Sequence, residues 1–215
     1  DRSEPVAEFC RQRGLWFHVD GAHGASAVLS PRYAQLAAGI GRADSLVWDA
    51  HKMMLLPALV TAVLFRDARR SYEAFSQRAD YLLRHGAQGE WWNPAHRTLE
   101  CTKRMMGLEL WAALTLHGTR MFSDYVTRMF DLGRTFATML DDADDFELAL
   151  EPDCNIVCFR HVPDDFQDLD AHQERIRARL LAEGSFYLVQ TRLRGHVHLR
   201  VTLINPLTTE ADLEA

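Results

Sequence analysis

The sequence has 215 residues, a formal net charge of −6, 47% hydrophobic residues and 25% charged residues. These values are typical of a globular protein and exclude a disordered or collagen-like chain. At roughly 150 residues per domain, the length allows one large domain or two small ones. The mild acidity, without any block of Lys and Arg, argues against a nucleic-acid partner. The longest apolar run, residues 53–65, is shorter than the roughly 20 residues that cross a bilayer, so we expect a soluble protein without a membrane partner.

The cysteines and the two ends of the sequence bear on its setting. Four cysteines form no C-x-x-C pair and are too sparse for a disulfide scaffold, which favours a reduced, cytoplasmic location. The chain starts at Asp1 without a signal-peptide pattern, and residues 208–215 resemble a helix that has only begun. We therefore expect the chain to be a piece of a longer protein.

The first half of the sequence alternates helical and strand-like patterns. The predicted elements are a helix from Ser3 to the stop at Gly14, a strand over 15–19, a helix over 30–37, and strands over 45–48 and 59–65. Short buried strands that alternate with helices predict a parallel α/β sheet. The run 59–65 also fits an antiparallel edge strand or a buried helical turn, because periodicity does not separate these structures.

The second half predicts a different arrangement. The expected elements are a helix over 68–75, a long functional loop over 77–93, helices over 98–116 and 121–140, a solvated acidic turn over 141–145, a strand over 155–160, a helix over 169–183, and strands over 186–190 and 197–203. This order indicates a separate α+β domain. We therefore predict two domains, over residues 1–110 and 111–215.

An acid and a lysine follow neighbouring strands of the predicted sheet. Asp20 ends one strand and His51-Lys52 ends the next, and the separation of 32 residues from Asp20 to Lys52 matches one strand–helix–strand unit. Ligands of open α/β sheets bind beyond the carboxyl ends of the strands. A pyridoxal phosphate enzyme needs a lysine to hold the aldehyde as a Schiff base and a carboxylate to keep the pyridine nitrogen protonated. Taken singly, Lys52 also fits a surface residue and Asp20 a cap of the turn at Gly21.

The surrounding residues make a resemblance to one family specific. The segment His18-Val19-Asp20-Gly21-Ala22-His23-Gly24, followed by Ala43-Asp44-Ser45, Trp48 and His51-Lys52-Met53, resembles the group II pyridoxal-phosphate-dependent amino-acid decarboxylases. That family includes glutamate, cysteine-sulfinate, diaminobutyrate and aromatic amino-acid decarboxylases. The resemblance covers nearly the whole chain but only the later portion of the family. It implies the fold-type I scaffold, with part of the large parallel-sheet domain and the small C-terminal α+β domain.

The resemblance assigns roles residue by residue. Lys52 matches the Schiff-base lysine, Asp20 the partner of the pyridine nitrogen, Ala22 the residue beneath the ring, and His51 the histidine beside cofactor and substrate. The family often has an asparagine at the position of Asp49, where it contacts the cofactor phosphate. Because an ionised carboxylate repels a phosphate dianion, we assign Asp49 no phosphate contact.

Two further residues match more distant motifs. Tyr81 lies 29 residues after Lys52, where the family has a mobile loop with a tyrosine that returns a proton to the substrate carbon. Without the resemblance, Tyr81 would be read as an ordinary amphipathic anchor. Arg200, within Leu199-Arg200-Val201-Thr202-Leu203-Ile204-Asn205-Pro206, matches the arginine that binds a substrate carboxylate in glutamate-type members, although an exposed strand arginine is the alternative.

The predicted function is decarboxylation of an L-amino acid, a small-molecule substrate, to its amine and CO2. The family further implies a homodimer with shared active sites and a missing N-terminal portion of the same protomer, which carries the ring-stacking histidine and most phosphate contacts. Two alternatives stay open: another fold-type I enzyme, such as an aminotransferase, and a non-catalytic decarboxylase-like partner subunit. We predict no metal site, because His18 and His23 lack an evident third ligand.

Overall fold

A computed structural model of the chain describes residues 3–75, 92–100, 102–164 and 167–214. The chain divides into two compact units, Asp1–Phe122 and Ser123–Ala215. Within the described ranges, no helix combines the length and the apolar character needed to span a bilayer.

The first unit contains a small mixed sheet. Its strands and helices are α1 (Ser3–Arg13), β1 (His18–Asp20), β2 (Ser45–Asp49), α2 (Ala50–Met53), β3 (Thr61–Phe65) and α3 (Arg69–Ala74), and the next helix, α4 (Met106–Asp141), begins in this unit. The strand order is β1-β2-β3, in which β1 and β2 run parallel and β3 is antiparallel to β2. Of the structures that the run 59–65 allowed, the antiparallel strand is the one observed.

Apolar contacts hold the carboxyl end of β2 in place. Ala50 and Met54, at and just after α2, are fully buried with Val60 and Phe122 in one cluster. Because Val60 directly precedes β3, this cluster fixes both α2 and the start of β3. At about 25 cal/mol per Å² of buried apolar surface, such side chains are the main stabilising contribution at this point.

Helix α4 differs from the prediction of two helices over 98–116 and 121–140. It starts at Met106, and it is interrupted at Gly118, whose φ of 69° and ψ of 173° are not helical. Glycine tolerates this positive φ because it lacks a Cβ atom. The break was expected near this residue, whereas residues 98–105 were wrongly predicted as helix. The expected domain boundary at 110 also lies within α4.

The second unit is an antiparallel sheet with one helix between its strands. Its elements after α4 are β4 (Phe146–Leu148), β5 (Ile156–His161), α5 (Leu169–Glu183), β6 (Val189–Leu193), β7 (His196–Thr202) and α6 (Glu210–Glu214). The strand order is β4-β5-β7-β6. Buried side chains of α4 and of the two central strands form the core, where Phe136 packs edge-to-face on Phe159 at 5.4 Å between centroids.

Local signals explain the end points of α5, which has the predicted bounds. The Asp168 carboxylate accepts a hydrogen bond from the Ala171 N–H, and Gly184 ends the helix in the left-handed conformation. Residues 30–37 carry only a short 3-10 helix, Ala34–Ala37, instead of the expected α-helix. The predicted loop 77–93 lies outside the described residues except for its last two.

Close packing between α4 and the chain before β5 yields a testable prediction. A Cβ atom at Gly133 would lie 2.9 Å from Asn155 Cα and 2.9 Å from Cys154 O, whereas one at Gly107 of the same helix meets nothing within 4 Å. We expect Gly133→Ala to lower the free energy of unfolding by about 1–3 kcal/mol, as overpacking does. Gly107→Ala, the matched control, should leave it unchanged or raise it by up to about 1 kcal/mol. Urea denaturation followed by circular dichroism measures both; equal effects would contradict the close approach.

Candidate active site

The pairing of β1 with β2 brings the predicted site residues to one edge of the sheet. Beyond the last residue of β1, the Gly21 N–H donates to Val47 O at 3.1 Å, and the Asp49 N–H donates to Ala22 O at 3.0 Å. The segment that follows Asp20 therefore lies directly beside the end of β2. This is the carboxyl edge of two parallel strands, where ligands of open α/β sheets bind.

The turn after β1 orients the Asp20 carboxylate. Asp20 Oδ1 accepts a hydrogen bond from the Ala22 N–H at 3.1 Å, and the Asp20 residue is exposed at the edge. The turn is tightly packed at Gly21, since a Cβ atom there would lie 2.7 Å from Ala25 Cβ and 2.8 Å from Leu46 Cδ1. Only glycine fits at that point. The turn therefore offers an oriented anion next to the small side chain of Ala22.

The structure pairs Lys52 with Asp49. Asp49 immediately precedes α2, and its Oδ2 lies 2.7 Å from Lys52 Nζ, three residues later in the chain. Asp49 Oδ1 accepts a hydrogen bond from the Thr61 hydroxyl at 2.6 Å. The Asp49 side chain is 12% exposed and that of Lys52 is 38% exposed. Burial opposes ionisation of Asp49, but the hydrogen bonds from Lys52 and Thr61 outweigh it, so that its pKa is lowered.

His51 is fixed by the residue that precedes β3. Its ring Nδ1 lies 3.0 Å from Val60 O and 3.3 Å from Val60 N, and its own backbone N–H donates to Val60 O at 3.2 Å. The other ring nitrogen, Nε2, lies 3.8 Å from Asp49 Oδ2. Lys52 and His51 thus both approach the same carboxylate oxygen.

His18 has a structural partner instead of a metal-like setting. Its Nδ1 lies 2.7 Å from Ser45 Oγ, which also accepts a hydrogen bond from Trp16 Nε1 at 2.9 Å. The His18 and Ser45 side chains meet across the paired strands β1 and β2. In the part of the chain that the structure describes, no group of three or more His, Cys, Asp or Glu side chains is placed to hold a metal ion.

Only two lysines occur in the sequence, Lys52 and Lys103. Lys103 lines a cavity of about 470 Å³ together with Val63 and Phe65 of β3, and its Nζ lies 3.0 Å from Glu100 Oε2. Both lysines therefore pair with the carboxylate three residues earlier. Only Lys52 follows a strand of the parallel pair, at the edge that carries Asp20.

Tyr81 and Arg200 are the two remaining predicted site residues. Tyr81 lies outside the described residues. Arg200 is half-buried on β7 of the second unit, directly opposite Cys158 of β5. Burial raises the pKa of the Cys158 thiol, and the charge of Arg200 opposes that shift.

Sequence reasoning missed the contacts that Asp49 makes. Its position three residues before Lys52, at the start of a helix, was the available signal, because residues at i and i+3 share one helical face. No comparable signal existed for Thr61, whose contact depends on the pairing of β2 with β3.

These residues define a class of site: an amine and a carboxylate at one edge of an α/β sheet, with a small residue beside them. Residues 1–162 match the family model described as the pyridoxal-dependent decarboxylase conserved domain. The chain belongs to the pyridoxal-dependent decarboxylase family, as the sequence resemblance predicted.

Individual relatives agree with that assignment. The chain is 28% identical over 230 residues to a mouse protein named acidic amino acid decarboxylase GADL1, covering 100% of this chain and 41% of the relative. It is 29% identical over 219 residues to an aromatic-L-amino-acid decarboxylase of Bacillus atrophaeus, covering 99% and 45%. The crystal structure of mouse CSAD in apo form superposes with a TM-score of 0.87 at 26% identity, covering 100% of this chain and 46% of that one. The chain thus spans less than half of the length of these relatives. The superposition on mouse CSAD confirms the predicted α/β scaffold.

The Asp49 contacts generate a prediction about stability. Asp49→Asn keeps the acceptor for Thr61 but removes the negative charge, and we expect it to lower the free energy of unfolding at pH 7 by about 1 kcal/mol. Because the pKa of native Asp49 lies below the unfolded value of about 4, this stabilisation is present above pH 4 and is lost as the pH falls through the native pKa.

Urea denaturation of both proteins from about pH 7 to pH 3 measures this difference. Glu73→Gln serves as the control, since Glu73 pairs with Arg70 and its side chain is 61% exposed, so that removal of its charge should have a smaller effect. A difference between wild type and Asp49→Asn that stays constant down to pH 3 would contradict the assigned ion pair.

Proposed function

We propose that the protein to which this chain belongs decarboxylates an amino acid, with pyridoxal phosphate held covalently by Lys52. The observation that carries the proposal is the shared edge of β1 and β2, where Asp20 and the Asp49–Lys52 segment lie side by side in a member of this family. When bound, the cofactor supplies a protonated pyridine ring that accepts the electrons of the breaking bond to the carboxylate.

The residues at the edge fit that group in charge and size. The Asp20 carboxylate, oriented by the Ala22 N–H, would hold the proton on the ring nitrogen. Lys52 would bond to the aldehyde carbon through its partly exposed, flexible side chain, and Ala22 would leave room for a flat ring. His51 lies next to Lys52 with its ring fixed at Val60, and it would lie beside cofactor and substrate. Asp49, whose two oxygens contact Lys52 and Thr61, is not assigned to the phosphate.

Tyr81 and Arg200 complete the proposed machinery on the strength of the resemblance. Tyr81 returns a proton to the substrate carbon after CO2 leaves. Product analysis of Tyr81→Phe checks this role, because part of the substrate should then be released as the aldehyde, with its amino group left on the cofactor by transamination. Arg200 binds a substrate carboxylate. A homodimer, an N-terminal portion that supplies the remaining cofactor contacts, and a cytoplasmic location belong to the same proposal.

Covalent attachment can be tested directly because the chain has two lysines. We expect borohydride reduction of the full-length protein with pyridoxal phosphate to fix the cofactor mass on the peptide that contains Lys52. Lys52→Ala should abolish the reduced label, and Lys103→Ala should leave it in place. Peptide mass spectrometry measures the outcome, and label on Lys103 or on any lysine outside this chain would refute the assignment.

The substrate class can be tested through Arg200. The similar proteins are named for acidic and for aromatic substrates, and a guanidinium suits two-point binding of a carboxylate. We expect CO2 release from aspartate, glutamate or cysteine sulfinate to exceed that from tyrosine or diaminobutyrate. Arg200→Gln should lower kcat/KM for the acidic substrates by at least about tenfold, which corresponds to one lost charged hydrogen bond. An equal loss with tyrosine would show that Arg200 does not select the side chain.

A further inference from the structure

We propose that Asp49 is a positioning residue that receives the Lys52 ammonium group whenever Lys52 is not bonded to the cofactor. The inference deepens the proposed function, on which it rests. It follows from the 2.7 Å contact between Lys52 Nζ and Asp49 Oδ2. Asp49 therefore acts through Lys52 and needs no contact of its own with the cofactor.

The carboxylate of Asp49 is held in place before Lys52 reaches it. Its backbone N–H donates to Ala22 O, and its Oδ1 accepts the Thr61 hydroxyl at 2.6 Å. Asp49 and Thr61 face each other across the antiparallel strands β2 and β3. One oxygen is thereby occupied by a neutral donor, and Oδ2 is directed to Lys52. A fixed acceptor loses little side-chain entropy when the ammonium binds.

A free Lys52 needs such a fixed acceptor, which we call the Asp49 dock, because the side chain of lysine is long and flexible. The four-carbon chain of lysine has many rotamers, so that an unpaired ammonium would spread over many positions. The ion pair keeps Nζ at the carboxyl edge of β2, the strand that neighbours Asp20.

The charged groups around the dock are few in the described residues. His51 places Nε2 at 3.8 Å from Asp49 Oδ2, and Asp20 ends the neighbouring strand β1. Thr61, from β3, is neutral. The pair Lys103–Glu100 has the same spacing of three residues, but the Glu100 side chain is 61% exposed compared with 12% for Asp49. The chain thus contains its own control for an ordinary surface pair.

Chemical labelling of cofactor-free full-length protein tests the dock without using activity. Trace acetylation with acetic anhydride at about pH 8 modifies neutral amines, and peptide mass spectrometry gives the ratio of label on Lys52 to label on Lys103. We expect Asp49→Asn to raise this ratio about fivefold, because the charge that retains the ammonium is lost. Asp49→Glu should stay near wild type, and Thr61→Val should fall between the two. Glu100→Gln should change Lys103 labelling by less than about twofold, as expected for an exposed pair.

The outcomes separate the dock from the proposed function. An unchanged ratio in Asp49→Asn would overturn the dock, and so would an equal rise in Asp49→Asn and Asp49→Glu, since both substitutions would then act through packing and not through charge. Thermal unfolding of each variant identifies any that do not fold, and the remaining ones decide. Borohydride label on Lys103 would refute the proposed function whatever the ratio. Borohydride label on Lys52 together with an unchanged ratio would refute the dock alone.

Discussion

The parallel pairing of β1 with β2 is the constraint on which the candidate site depends. Two strands that run in the same direction end at the same edge, and the hydrogen bonds of Gly21 and Asp49 extend the pairing past the end of β1. A shift of the register by one residue would turn every side chain of the shifted strand to the opposite face. Asp20 and the segment from Asp49 to Lys52 would then no longer lie in their observed register at the shared edge. The chemistry of the site is therefore set by backbone hydrogen bonds before any side chain contributes.

Much of this arrangement could be predicted from the sequence because its signals are local or periodic. The spacing between Asp20 and Lys52 fits a strand–helix–strand unit, and the ends of α5 are marked by Asp168 and Gly184. Predictions failed where an apolar pattern had no such marks. Residues 98–105 have the composition of a helix, yet α4 begins only at Met106. Propensity is a weak prior that tertiary contacts override.

The part of the site that could not be predicted is the part that needs contacts between distant residues. Asp49 was expected to repel a phosphate group, because the sequence shows the charge of a residue but not its partners. The structure supplies those partners from two directions. Lys52 comes from the next turn of the chain, and Thr61 comes from a strand whose direction the pattern left open. Asp49 stands where the family often has asparagine, and its charge looked unfavourable for the cofactor phosphate. The positive charge of Lys52 beside it balances that charge.

The same geometry links the ionisation of Asp49 to the bonding of Lys52. While the ion pair exists, it helps to keep the pKa of Asp49 low against the effect of burial. When Lys52 bonds elsewhere, Asp49 loses the hydrogen bond from Lys52 and keeps the one from the Thr61 hydroxyl, while its side chain is only 12% exposed. A buried carboxylate without its cation then favours the protonated form. The bonding state of Lys52 therefore sets the direction in which the pKa of Asp49 is shifted: lower while the ammonium is present, and higher once it leaves.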